Sequence, residues 1–197
     1  MKTVIVNSGC ANISSVKFAF ERLGADIIVS KDPKEISNAN RVILPGVGTF
    51  DFAMSGLVDG QLTKTIKNLT QPVLGICLGM QLYFKGSDEG NTVGLGIIDG
   101  KAKKFNASVN MPVPHMGWNQ LVNITNDPLL KGVDNGSHVY FVHSYYITCD
   151  EKTIAETNYC VPFSAAVRHK NFWGCQFHPE RSGEIGAKIL QNFLDLS

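Results

Sequence analysis

Through the first half of the chain, short β-branched runs alternate with stretches whose apolar positions recur at helical spacing. "TVIVN" (Thr3 to Asn7) reads as a buried strand. Ile13, Val16, Phe20 and Leu23 then follow at helical intervals, with Gly24 where a helix would stop. "ADIIVS" and "RVILPG" predict two more strands, separated by "DPKEISNA" as a turn or brief helix. Met54, Leu57, Leu62, Ile66 and Leu69 predict a helix interrupted near Gly60, and "PVLGIC" the strand after it. Alternation of this kind favours a mostly parallel sheet with helices on both faces.

The second half reads differently. "GLGIIDGKAKKF", "WNQLVNIT", "HVYFVHSYYITC", "TIAETNY" and "SAAVRHKNFWGCQF" are strand-like and separated by short polar turns. They predict antiparallel hairpins packed against the end of the first sheet. Ile185, Ile189, Phe193 and Leu196 mark one side of a closing helix. With no repeat, low-complexity tract or linker, residues 1–197 are expected to form a single domain.

Composition narrows the partners. Hydrophobic residues make up 44% and charged residues 18%, the balance of an ordinary globular protein. A net charge of +1 gives no electrostatic reason to expect nucleic acid or an anionic membrane. "MKTVIVNSG" is too short an apolar run for a signal peptide, and no apolar segment reaches about 20 residues. The five cysteines are odd in number and include no C-x-x-C, so reduced thiols in the cytoplasm are expected. No metal or cofactor is expected, since His115, His138, His143 and His169 show no ligand spacing and read as hydrogen-bonded structural groups.

One stretch demands more than packing. In "PVLGICLGMQLYF", Cys77 stands between Gly75 and Gly79, where an apolar strand gives way to a helix-like segment. A sharp strand-to-helix turn of this kind lifts a nucleophile clear of a sheet and needs small residues on both sides. A helix N-terminus favours thiolate over thiol, and the Leu78 amide becomes an oxyanion donor. The frame alone leaves a buried structural cysteine equally open. A base is available in "GCQFHPE": His178 ends an apolar strand, and Glu180, two residues on, faces the same way in extended chain. Cysteine, imidazole and carboxylate together do the work of a protease triad, although "HPE" by itself also reads as a turn with a solvated acid.

Taken together, "PVLGICLGMQLYF" and "GCQFHPERSG", about a hundred residues apart, resemble the two signatures of class I, or triad, glutamine amidotransferases. "LPGVGTF" (Leu44 to Phe50) is similar to the oxyanion segment that precedes the nucleophile in that family. "HMGWNQL" and "YFVHSYY" are similar to segments of the glutaminase subunits of imidazole glycerol phosphate synthases. The resemblance implies an α/β fold, a flavodoxin-like doubly wound sheet with antiparallel hairpins in the second half. It implies that Cys77 attacks glutamine to form a glutamyl thioester, with His178 as acid and base and Glu180 orienting it. It further implies oxyanion amides at Leu78 and Val47, with Gly46 and Gly48 easing rotation of the Gly46–Val47 peptide. Gln81, Ser144 and Tyr145 would hold glutamine.

The implied partner is a (β/α)8-barrel cyclase subunit in a heterodimer. It would receive ammonia through a dry passage and make imidazole glycerol phosphate and aminoimidazole carboxamide ribotide. Asn12, Trp118, Asn119 and Arg181 are expected to face it. Relatives often carry Gly-x-Gly-Asn where this chain reads Gly9-Cys10-Ala11-Asn12, and lysine where it has Arg181. Both departures fall in the partner-facing region. The alternatives are the glutaminase subunit of another synthase (pyridoxal phosphate, anthranilate or carbamoyl phosphate), a non-catalytic regulatory subunit, or a thiol hydrolase of another substrate.

Overall fold

Alternation within each apolar run sets the two faces of the sheet. The computed structural model describes residues 1–9, 12–107 and 111–196, so Cys10 and Ala11 lie outside the described residues. The first half contains β1 (Lys2–Val6), α1 (Ile13–Glu21), β2 (Asp26–Ser30), α2 (Pro33–Ser37) and β3 (Arg41–Leu44). It continues with α3 (Phe50–Asp59), α4 (Leu62–Lys67), β4 (Val73–Ile76) and α5 (Leu78–Gln81). The helix expected from Met54 to Leu69 is two, because Gln61 takes a left-handed conformation (φ 54) and restarts the chain as α4. The helix-like stretch after Cys77 is only the four residues of α5, and Phe84 opens a strand instead.

The later elements are β5 (Phe84–Ser87), β6 (Ile98–Lys104), β7 (His115–Gln120), β8 (His138–His143), β9 (Tyr145–Tyr146), β10 (Thr153–Tyr159), β11 (Val161–His169), β12 (Phe172–Cys175) and α6 (Gly183–Asp195). The strand expected over "WNQLVNIT" is β7, which starts earlier and ends at Gln120. Asn123, left-handed at φ 51, turns the chain away, and Val122 keeps only an isolated bridge to Glu156.

The main sheet has seven strands in the order β10-β11-β12-β4-β3-β1-β2. β2, β1, β3, β4 and β12 run parallel, and β11 and β10 continue antiparallel. Thus β10, β11 and β12 extend the first sheet and do not pack against its end as hairpins. β12 is buried on both faces and parallel to β4, which only a long return connection allows. β5, β6 and β9 form a small separate sheet, and β7 with β8 a two-stranded ribbon.

Val4, Val6, Val42, Leu44 and Val73 point into one core with Phe50, Leu57 and Ile66 of α3 and α4. Ile5, Ile43, Leu74 and Ile76 point into the other with Phe20 of α1 and Phe193 of α6, whose rings meet edge-on at 6.2 Å. Each such side chain contributes about 1.5–3 kcal/mol on burial. Among the described residues no helix is long and apolar enough to cross a membrane.

A buried polar knot ties β11 and β12 to the turn at residues 128–130. Asp127 accepts from the Trp173 indole N–H at 3.0 Å, from the Leu129 N–H at 2.9 Å and from the Arg168 guanidinium at 3.0 Å. The guanidinium also lies 4.6 Å from the centre of the indole. Asp127→Ala leaves the indole N–H buried without an acceptor and is expected to cost about 2–4 kcal/mol. The change should appear as a lower urea midpoint with an unchanged slope.

Candidate active site

β3, β4 and β12 lie side by side in parallel, so their carboxyl ends open onto one crevice. Leu44 is level with Gly75, and Gly75 with Gly174. The residues that follow each strand therefore emerge together. Cys77 follows β4 at φ 53 and ψ −110, a conformation that costs a residue with a side chain about 1–3 kcal/mol. The turn feeds directly into α5. It is possible only because its neighbours lack side chains: a Cβ on Gly79 would meet the Leu44 carbonyl oxygen at 1.8 Å, and one on Gly75 the Met80 nitrogen at 2.7 Å. The Cys77 N–H donates to the Cys175 carbonyl at 2.7 Å, pinning the elbow to β12.

His178 arrives three residues after β12. Its N–H donates to the Tyr140 carbonyl at 2.9 Å. The Ser182 hydroxyl donates to the His178 carbonyl at 2.6 Å and accepts from the Tyr140 N–H at 3.0 Å. With its backbone held in this way, the ring places Nδ1 2.8 Å from Glu180 Oε1. The Glu180 side chain is wholly buried, and its other bond is a long one, 3.4 Å from Asn12 Nδ2. A buried carboxylate with so few donors needs a cation beside it. Burial alone would lower the His178 pKa. Cys77, and then Glu180, beside the ring outweigh burial and push it up to about 10. Nε2 is left without a hydrogen-bond partner of its own among the described residues.

Cys77, His178 and Gln81 line a cavity of about 490 Å3 together with Val47, Gly48, Leu78, Ser144 and Tyr145. Glu180 lies behind the imidazole and does not line it. Every other residue expected in the triad, the oxyanion site or the glutamine site reaches this wall except Gly46. The two glycines beside Val47 serve different ends. Gly48 is left-handed (φ 97) in open space, whereas a Cβ on Gly46 would meet Gly79 N at 2.7 Å and Leu78 Cβ at 2.8 Å. Gly46 is there for close approach to the elbow, not for freedom of rotation.

Asn12 and Arg181 also line the cavity. Trp118 is 57% exposed and Met116, on the same face of β7, is 63% exposed. Tyr140 of β8 meets Trp118 edge-on at 6.1 Å, and the Arg181 guanidinium lies 5.0 Å from the centre of the Tyr140 ring. Asn119 departs from expectation. Strand alternation sends it to the other face of β7, where its amide donates to the Asn158 carbonyl at 3.1 Å and lies 3.3 Å from His115 Nε2.

The family model described as class-I glutamine amidotransferase matches residues 4–196. The chain belongs to the class-I glutamine amidotransferases. It is 51% identical over 191 residues to the imidazole glycerol phosphate synthase subunit HisH of Haemophilus influenzae, covering 97% of this chain and 96% of that one. It is 48% identical to the HisH subunit of Yersinia pseudotuberculosis over the full length of both. The solved structure of PurLQS from Thermotoga maritima superposes with a TM-score of 0.73 at 20% identity, covering 98% of this chain and 97% of that one. That likeness confirms the α/β fold.

This amidotransferase brings two further residues to the site. Gln81 Nε2 donates to the Tyr145 carbonyl at 2.9 Å and to Gln176 Oε1 at 2.8 Å, and Gln176 Nε2 donates to the Cys77 sulfur at 3.7 Å. Gln176 stands directly after β12, two residues before His178, in the bend that carries the chain from the sheet to the base. A lone amide in that apolar run was the available signal. Glu89 also lines the cavity, and its carboxylate accepts from the Phe50 N–H, at the start of α3, at 2.7 Å. In "GSDEGNT" it reads as an ordinary solvated turn acid, with no local signal.

Two outcomes are expected. Gly79→Ala forces the elbow off the Leu44 carbonyl, and should lower both the melting temperature and any Cys77 reactivity toward a haloketone. The raised His178 pKa makes a contribution to stability that is complete below about 6.5 and lost as pH rises through about 10. In an NMR titration, wild-type His178 should therefore keep its proton beyond pH 8, whereas Cys77→Ala, lacking the sulfur beside the ring, should release it at lower pH.

Proposed function

We propose that this chain is the glutaminase subunit of an imidazole glycerol phosphate synthase. It hydrolyses glutamine to glutamate and ammonia and passes the ammonia to a cyclase subunit in histidine biosynthesis. The observation that carries the reading is that Cys77 and His178 share the wall of one cavity, with Glu180 hydrogen-bonded behind His178, in a chain about half identical to HisH subunits.

The Cys77 thiolate attacks the glutamine carboxamide carbon, and the carbonyl electrons move onto oxygen. The Leu78 and Val47 amides receive that oxyanion. Collapse expels the amine, which takes its proton from the His178 imidazolium and leaves as ammonia. His178, now neutral, removes a proton from water. The resulting attack frees glutamate and restores the thiolate. Glu180 stays ionised throughout and keeps the ring oriented. Glu89, among the described residues the one carboxylate on the cavity wall, suits the α-ammonium of the substrate, with Gln81, Ser144 and Tyr145 supplying the remaining contacts.

Free ammonia is protonated in neutral water and then has no lone pair for attack. Delivery therefore favours a partner seated over the cavity mouth. Met116, Trp118, Tyr140 and Arg181 supply an exposed, partly apolar surface for it, of the kind that marks protein contacts. Our reading takes that partner to be a (β/α)8-barrel cyclase in a heterodimer, working in the cytoplasm. Cys77→Ala should fold normally, by circular dichroism, and lose at least about 10³-fold in glutamate release. Mixed with its cyclase, the wild-type chain should make imidazole glycerol phosphate from glutamine. Wild-type turnover in the alanine variant would rule the mechanism out.

A further inference from the structure

Two histidines outside the triad are buried beside it. His115 Nδ1 and His143 Nε2 are 2.9 Å apart, inside a cage of Phe105, Phe141, Phe163, Tyr146 and Tyr159. Apolar rings would fill such a cage without the cost of burying four polar nitrogens. The bonds at the two ends account for their presence.

At one end His143 Nδ1 is 2.7 Å from the Tyr145 carbonyl, which can only accept, so that nitrogen carries the proton. Nε2 must then accept from His115 Nδ1–H, and His115 Nε2 must accept in turn. Its donor is the Asn119 amide, whose orientation is fixed independently: its oxygen accepts from the Gln120 N–H at 2.8 Å and its nitrogen donates to Asn158. Both rings are thereby neutral and protonated on Nδ1, the less common tautomer of a free imidazole. Burial, the main cause, holds them neutral, pulling the pKa of His115 down to about 4 and that of His143 to about 3.

From the Tyr145 carbonyl the bonds run on through Gln81 and Gln176 to the Cys77 sulfur. The series is unbroken from β7, whose outer face carries Trp118, to the nucleophile. We infer that the His115–His143 pair is a positioning unit for the glutamine site, fixing the Tyr145 carbonyl and with it Gln81 and Gln176, and linking their alignment to Asn119 on the ribbon. This rests on the glutaminase reading. His143 reaches the cavity wall, but among the described residues neither ring hydrogen-bonds to Cys77 or His178, so the pair's effect falls on how glutamine is held.

The test combines kinetics with a tautomer measurement on the full-length chain, assayed for glutamate release with its cyclase present. His143→Phe keeps the cage filled and removes both bonds. It should raise KM for glutamine about tenfold with kcat nearly unchanged. His143→Asn puts an amide N–H where Nδ1–H was and should recover most of the loss. A purely structural role predicts instead that both variants lose melting temperature and kcat together, with no rescue by asparagine. That result, or an unchanged KM in His143→Phe, overturns the inference. Should the phenylalanine variant fail to fold, long-range 15N–1H correlation on the wild-type chain at pH 7 still decides: both rings are expected to be protonated on Nδ1 alone, and a proton on Nε2 of either refutes the relay. Absence of glutaminase in the wild-type complex would refute the functional reading instead, and the tautomers would remain a separate measurement.

Discussion

The parallel pairing of β4 with β12 is the constraint on which the chemistry depends. Those strands are far apart in sequence, yet the Cys77 N–H meets the Cys175 carbonyl at 2.7 Å and Gly174 stands level with Gly75. Once that register is set, the thiol and the imidazole leave the sheet at the same height. A shift of one residue would turn every β12 side chain to the opposite face. The two-sided core resists it, because Trp173 and Cys175 fill one layer while Phe172 fills the other.

Around that pairing the nucleophile, the oxyanion segment and the base come from the segments that follow β4, β3 and β12. The elbow supplies the nucleophile in a strained conformation, and the segment after β3 brings Val47 and Gly48 to the same wall. The segment after β12 brings the base. Ser182 and Tyr140 tie that segment to the β7–β8 ribbon, so the surface with the exposed tryptophan and the general base share a framework. Charge completes the arrangement. Cys77 and a wholly buried Glu180 both favour imidazolium between them.

Local patterns made much of this legible. The first-half strands and helices follow apolar periodicity closely, because each is stabilised by a face it buries against its neighbours. The triad was legible because its motifs are contiguous: G-x-C-x-G encodes a steric need, and H-P-E places ring and acid two residues apart. The placement of β12 was not legible, since strand order depends on a return connection that leaves no local mark. Glu89 was hidden for the same reason, as an acid in a polar turn gains meaning only when Phe50 and the cavity are beside it. Asn119 follows Trp118 directly, and period-two alternation puts the two on opposite faces of β7.

The packing at the elbow also bears on how such a molecule can diverge. With backbone oxygen only 1.8 Å from where a Gly79 side chain would begin, drift at this point is blocked by volume alone, whatever the selective demand on activity. The outer face of the ribbon has no such restriction, since Met116 and Trp118 project into solvent. A lineage could exchange its recipient for ammonia by rewriting the ribbon and leaving the elbow intact.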